Sequence, residues 1–300
     1  MGSTLTWLFI HLVHLPDSKC LGRPMGCLIN RSVRVVLAAC VVACLAVTPR
    51  ACAEAQETRL GHRTDSGSAP SNRVNTAVVP LPGGGDTWKT RHEAINARAK
   101  QGHVDLIYIG DSIVRSWMWD GTPVWEHYYA KRQGMIAGMT GDRTEQVLWR
   151  LQNGNIDGIS PKLAIVMIGQ NNGPSNTGEE IAAGVTAIVH TLRQKLPTTK
   201  VLVLAIFPRG EKPTPERAVL AKANSIVSQL ADGKYVFYLD VNHLFLRPDG
   251  SIPAFLMPDF EHPNEQGHRV WAAAIEPKVA ELMGDRPTPP MPPKPSVQPL

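Results

Sequence analysis

The sequence predicts an α/β fold, a parallel sheet of five strands covered by helices on both faces. Three observations carry the prediction. Short apolar runs alternate with longer helix-like stretches along the chain. Those runs are nearly continuous in hydrophobic residues, the pattern of strands buried on both faces. Three of them end at glycine-containing turns, where polar residues suited to chemistry collect.

The runs expected as strands are residues 104–109, 163–168, 201–207 and 235–239, with 134–137 as a weaker fifth. Helical stretches are expected at 144–151, 179–196, 215–230 and 265–283. Strand–helix alternation at these spacings favours parallel pairing with a three-layer α/β/α arrangement. In such sheets the site lies at the carboxyl ends of the strands, so the residues just beyond each strand matter most.

The chain has 300 residues, and the expected folded unit is 87–284. Residues 1–53 are expected to be a leader, with Arg31 and Arg34 ahead of the apolar run 35–47 and a small-x-small cleavage site at Ala51-Cys52-Ala53. This pattern predicts an exported protein, periplasmic or secreted, with no stable membrane span in the mature chain. Two rival readings stay open. Cys40 and Cys44 sit in boxes resembling bacterial lipoprotein cleavage sites, and the segment could also stay uncleaved as a signal anchor. Met25 rivals Met1 as the start. Residues 54–86 read as a flexible linker, and the Pro-rich stretch 285–300 as an extended, unpacked tail.

The formal net charge of +5 belongs to the leader, because beyond residue 53 there are 26 basic and 25 acidic side chains. That balance leaves no electrostatic footprint for nucleic acid. All five cysteines lie at or before Cys52, so the folded unit has no disulfide, thiolate-bound metal or cysteine nucleophile.

Gly110-Asp111-Ser112-Ile113 follows the first run. Glycine allows a sharp turn, and a following helix would aim its N-terminal amides at Ser112. The same serine would equally serve as a helix cap. Gly138-Met139-Thr140-Gly141-Asp142 follows the second run and offers a backbone N–H, although it is also a common turn sequence. After the third comes Gly169-Gln170-Asn171-Asn172, where an asparagine amide can donate to an oxyanion or simply form a turn. Asp259-Phe260-Glu261-His262-Pro263 precedes the last helix. A carboxylate three residues before an imidazole can fix its tautomer and leave Nε2 to accept a serine proton; a plain helix start with Pro263 is the alternative. Trp117, Trp119 and Trp125 cluster after the serine and fit a core or pocket wall better than a sugar platform. Together the pieces amount to a nucleophile, oxyanion donors and an acid–base pair.

These residues resemble the four sequence blocks of the SGNH (GDSL-type) hydrolase superfamily, in order: Gly110-Asp111-Ser112, Gly141, Gly169-x-Asn171 and Asp259-x-x-His262. The stretches Val147–Gly154 and Phe207–Pro213 are similar to the catalytic subunits of intracellular platelet-activating factor acetylhydrolases and their bacterial relatives. The resemblance implies a flavodoxin-like fold and no metal or organic cofactor. It implies Ser112, Asp259 and His262 as catalytic residues, with the Ser112 and Gly141 amides and the Asn171 side chain as oxyanion hole. The eukaryotic members form dimers, which raises a homodimer for this chain. Departures occur at Gln170, where threonine is usual, at Thr140, where a second glycine is usual, and at Glu261, where an apolar residue is usual. Ile113, Gln170 and Glu261 are therefore expected around the substrate. An unpaired Glu261 carboxylate beside the acyl group would disfavour a greasy substrate; pointing to solvent, it would have no such effect.

The expected function is hydrolysis of short acyl esters, acetyl foremost, from a carbohydrate or another small molecule. A short-chain phospholipid is the alternative substrate. From other classes, a catalytically inactive glycan-binding module and a metal-dependent or phosphoryl-transfer hydrolase stay in view.

Overall fold

Five short apolar strands form the centre of the protein: β1 Leu106–Gly110, β2 Gly134–Gly138, β3 Leu163–Met167, β4 Lys200–Leu204 and β5 Val236–Leu239. The computed structural model describes residues 73–293. All neighbouring strands pair in parallel, in the order β2-β1-β3-β4-β5. This is the flavodoxin-like order, in which the chain reverses direction across the sheet between β1 and β3.

Among the described residues seven α-helices connect and cover the strands: α1 Asp86–Lys100, α2 Ser112–Arg115, α3 Thr122–Tyr128, α4 Thr144–Gln152, α5 Gly178–Lys195, α6 Pro215–Val227 and α7 Glu265–Met283. Successive strand residues point to opposite faces, and this divides the core in two. Ile107, Ile109, Val166 and Val203 face α1, α4, α5 and α6. Leu106, Tyr108, Ile165 and Leu202 face α2, α3 and α7. Both faces are apolar, which is why the strands read as continuous hydrophobic runs.

The register aligns Gly110 with both Gly138 and Met167, so three strands end level and their following loops gather on one edge. The close approach at that edge requires glycine. A Cβ on Gly138 would lie 2.3 Å from the Arg115 backbone nitrogen, so any larger residue would push α2 off the end of β2.

Two boundaries differ from expectation. Residues 73–85, read as linker, lie against the sheet's helical cover. Ala77 is fully buried, its carbonyl accepts from Thr144 Oγ1 at 2.8 Å, and Arg73 grips Glu180 at 2.6 Å. Low hydrophobicity hid this segment because polar contacts anchor it. The first part of the tail is extended but packed. Asp285 pairs with Arg132 at 2.8 Å, the Pro289 carbonyl accepts from His127 at 2.8 Å, and the Met291 amide donates to the Tyr128 hydroxyl at 3.2 Å. Proline removes amide donors but leaves carbonyls free to accept, and Thr288 and Met291 supply the missing N–H groups. The leader, residues 54–72 of the linker and residues 294–300 lie outside the described residues. No described helix is long and apolar enough to cross a membrane.

Candidate active site

Ser112 is the first residue of α2, immediately after β1. Asp111 caps that helix, its Oδ1 accepting from the Ile113 amide at 3.0 Å, so the capping role falls to Asp111 and leaves the Ser112 side chain free. Asp111 is buried, and desolvation pushes its carboxyl up to about 7, against the pull of the Ile113 amide.

Asp259 and His262 occupy one tight turn. Asp259 Oδ1 accepts from the backbone amides of Glu261 and His262 at 3.0 and 2.7 Å, while Oδ2 meets His262 Nδ1 at 2.7 Å. Burial raises the Asp259 carboxyl, but these hydrogen bonds outweigh it and hold it below the usual carboxylate range. With a carboxylate on Nδ1 the ring proton sits there, and Nε2 accepts. Nε2 lies 2.8 Å from Ser112 Oγ. The turn is braced from the loop after β4: the Gly210 amide donates to the Phe260 carbonyl at 2.9 Å, and Arg209 pairs with Glu261 at 3.3 Å. Phe260 sits at φ 59°, a left-handed conformation costly for an aromatic residue, and these contacts hold it there. In the sequence the Phe207–Pro213 stretch carries a family similarity, but its bracing role has no local signal.

The candidate donors come from three adjacent strand ends, those of β2, β1 and β3. Gly141 adopts φ 77°, a conformation that favours glycine. Its amide and that of Ser112 donate to no protein acceptor among the described residues. Asn171 Nδ2 donates to the Asp142 carbonyl at 2.9 Å, which fixes the carboxamide and leaves its second hydrogen available. Asp142 is in turn held by Trp88 Nε1 and Arg150 Nε, each at 2.7 Å.

The three expected pocket residues do not behave as expected. Ile113 is fully buried in the core beside Trp117, so its side chain gives the substrate no wall. Gln170 is 1% exposed and donates to the Phe207 carbonyl at 3.3 Å. Glu261 neither intrudes as a bare carboxylate nor points free into solvent, because Arg209 neutralises it. Trp117 and Trp125 belong to the core, whereas Trp119 is 54% exposed. Among the described residues no cluster of three histidine, cysteine or carboxylate side chains is placed to hold a metal ion.

A serine backed by a carboxylate-oriented imidazole, with two backbone amides left without a protein acceptor among the described residues, is equipped for acyl transfer. The sequence model of the GDSL-like lipase/acylhydrolase family matches residues 108–270, which include Ser112 and the Asp259–His262 turn. The chain belongs to this family. It is a carboxylic ester hydrolase of the GDSL type. Platelet-activating factor acetylhydrolase IB subunit alpha2 of Rattus norvegicus is 33% identical over 218 residues, covering 71% of this chain and 94% of the relative. The alpha1 subunit of Homo sapiens is 30% identical over the same length, covering 71% of this chain and 93% of that one. A solved GDSL-like lipase of Bacteroides thetaiotaomicron superposes with a TM-score of 0.51 at 15% identity, over 64% of this chain and 97% of its own. At that identity the likeness speaks for the fold.

Proposed function

We propose that this GDSL hydrolase removes short acyl groups, acetyl first, from a polar alcohol such as a carbohydrate, through an acyl-enzyme on Ser112. The observation that carries this reading is the continuous chain Ser112 Oγ–His262 Nε2–Asp259, with contacts of 2.8 and 2.7 Å. Ser112 Oγ attacks the ester carbonyl carbon as its proton passes to His262 Nε2. The oxyanion is received by the Ser112 and Gly141 amides and the Asn171 carboxamide. Collapse expels the alkoxide, which takes the proton from Nε2. Water then attacks the acyl-enzyme with His262 again as base, and the carboxylic acid leaves as Ser112 regains its proton.

The Arg209–Glu261 ion pair, two positions from Asp259 and adjacent to His262, supports a polar rather than a greasy partner. The names of the curated relatives favour a second reading, an acetylated phospholipid resembling platelet-activating factor. The leader pattern supports export, so the substrate would be met outside the cytoplasm.

The test is hydrolysis of 4-nitrophenyl acetate together with labelling by a fluorophosphonate probe, each compared with Ser112→Ala. Labelling of Ser112 and loss of both signals in the variant are expected. A variant that keeps full activity overturns the role of Ser112. A panel of acetylated sugars and short-chain phospholipids then ranks the alcohols.

A further inference from the structure

Beside the candidate oxyanion loop lies a cleft of about 380 Å³ whose wall includes Gly141, Thr140 and the side chains of Arg91, Arg115 and Arg143. Its charge is unbalanced in a particular way. Arg143 is neutralised by Glu145 at 3.0 Å and also bonds Asn176. Arg91 and Arg115 have no carboxylate partner among the described residues. Arg91 donates to the Ile136 carbonyl at 2.7 Å, and Arg115 donates to Thr140 Oγ1 at 3.1 Å and lies over the Trp119 ring at 4.9 Å. Asp86 is nearby, lining the adjoining hollow with both arginines, but forms an ion pair with neither. Beyond residue 53 basic and acidic side chains nearly balance, 26 against 25, so the pair does not follow from an overall basic chain.

Position ties the pair to the reacting centre. Arg115 stands three residues after Ser112 on α2, and residues at that spacing share a helix face. Its hydrogen bond to Thr140 joins the nucleophile's helix to the loop that presents Gly141. Two guanidinium groups that line the same cleft with no carboxylate in ion-pair contact repel one another. Burial, followed by the charges of Arg115 and Arg150, pushes the Arg91 guanidinium down to about 10. An oxyanion entering the cleft would relieve that repulsion and accept planar, charge-assisted hydrogen bonds from both.

We propose that Arg91 and Arg115 form a subsite for a carboxylate or phosphate carried on the alcohol half of the ester substrate. This rests on the esterase reading above and narrows it: the acyl group is short and uncharged, and the alcohol is anionic. The shared chemistry is an oxyanion a few bonds from the ester, found in an acetylated uronic acid or an acetylated glycerophosphate.

Matched acetyl esters test it. One pair is 1-acetylglycerol 3-phosphate against 1-acetylglycerol; the other is an O-acetylated methyl glucuronoside against the corresponding glucoside. The wild-type protein is expected to prefer a charged member by about tenfold in kcat/KM, mostly through KM, with the preference shrinking as salt is added. In Arg91→Gln and Arg115→Gln the ratio should fall toward one, and Arg91→Lys should restore much of it. Each ratio is taken within a single variant, so a smaller folded fraction cancels. Preference for the phosphate pair alone or the uronate pair alone identifies the source of the oxyanion. Equal turnover of charged and neutral esters by the wild type, or an unchanged ratio in the glutamine variants, overturns the subsite while leaving the esterase intact. Absence of Ser112-dependent turnover of every ester overturns the esterase reading and the subsite with it.

Discussion

Arg150 and Asp142 form an ion pair at 2.7 Å in which both side chains are out of contact with solvent. The same guanidinium donates to Asn155 at 2.6 Å and to the Gly110 carbonyl at 3.2 Å. One arginine on α4 therefore braces the strand end before Ser112 and the residue after Gly141. Desolvation pushes the Asp142 carboxyl up, against the stabilising charge of Arg150. Removing Arg150 would strand a buried carboxylate.

Arg150→Met is accordingly expected to cost about 3–5 kcal/mol of stability, because the surviving partner of a broken buried pair is left uncompensated. Chemical denaturation at neutral pH measures it. A loss below about 1 kcal/mol would show that Asp142 finds another way to be neutralised. Asp142→Asn should not be milder, since Trp88 and Arg150 donate to different carboxylate oxygens, the amide offers only one acceptor, and the buried Arg150 charge is left without its partner.

Asn171 is expected to matter for rate rather than for binding. Its carboxamide is pinned by the Asp142 carbonyl and has one hydrogen to offer a developing oxyanion. Asn171→Ala should lower kcat for 4-nitrophenyl acetate by about 10²–10³-fold with little change in KM, the usual loss for one oxyanion donor. Steady-state kinetics separate the two constants. An effect confined to KM would mean that Asn171 contacts substrate in the ground state only.

The sequence made some of this legible and hid the rest for physical reasons. The strands showed because both faces of each are buried, leaving uninterrupted apolar runs. The helix at Glu265–Met283 was recovered whole, since it carries an apolar face and a capping Asn264. Helix α1 was missed because only His92, Ile95 and Ala99 of its residues are buried, too sparse a stripe to read as a period. The triad was legible because its members lie beside glycine turns or three residues apart. Arg150, Gly210 and Arg209 were not, since a bracing contact made across the fold leaves no spacing to read. Ile113 and Gln170 were misplaced for a related reason: adjacency to a site residue in sequence does not decide which way a side chain points.

Asp259 orients His262 from a partly open turn, its side chain 58% exposed. Asp259→Asn retains the shape but can present an N–H where the imidazole needs an acceptor, which favours the wrong ring tautomer. A fall in kcat of about 10²–10⁴-fold is expected, at the lower end if water substitutes for the lost carboxylate. The pH–rate profile should change as well, because the imidazolium formed during attack loses its counter-charge. Unchanged kcat would remove Asp259 from the triad.

His268 supplies a dependence of stability on pH that is separate from catalysis. It is fully buried, with Nε2 3.0 Å from Ser116 Oγ and Nδ1 2.9 Å from the Asn264 carbonyl. Desolvation pushes its imidazole down from 6.5 to about 4, only partly offset by the Asn264 hydrogen bond. In the unfolded chain the ring takes up a proton as pH falls through its ordinary value, while the folded protein resists until near pH 4. Its contribution is therefore complete above about pH 6.5 and is lost as pH falls toward 4, a change of about 3 kcal/mol over the whole window. Denaturant midpoints taken at pH 7 and pH 5 for the wild type and His268→Gln check this, since glutamine keeps a polar partner for Ser116 without titrating. The wild type should lose more stability than the variant between the two conditions. Equal losses would assign the acid sensitivity to other groups.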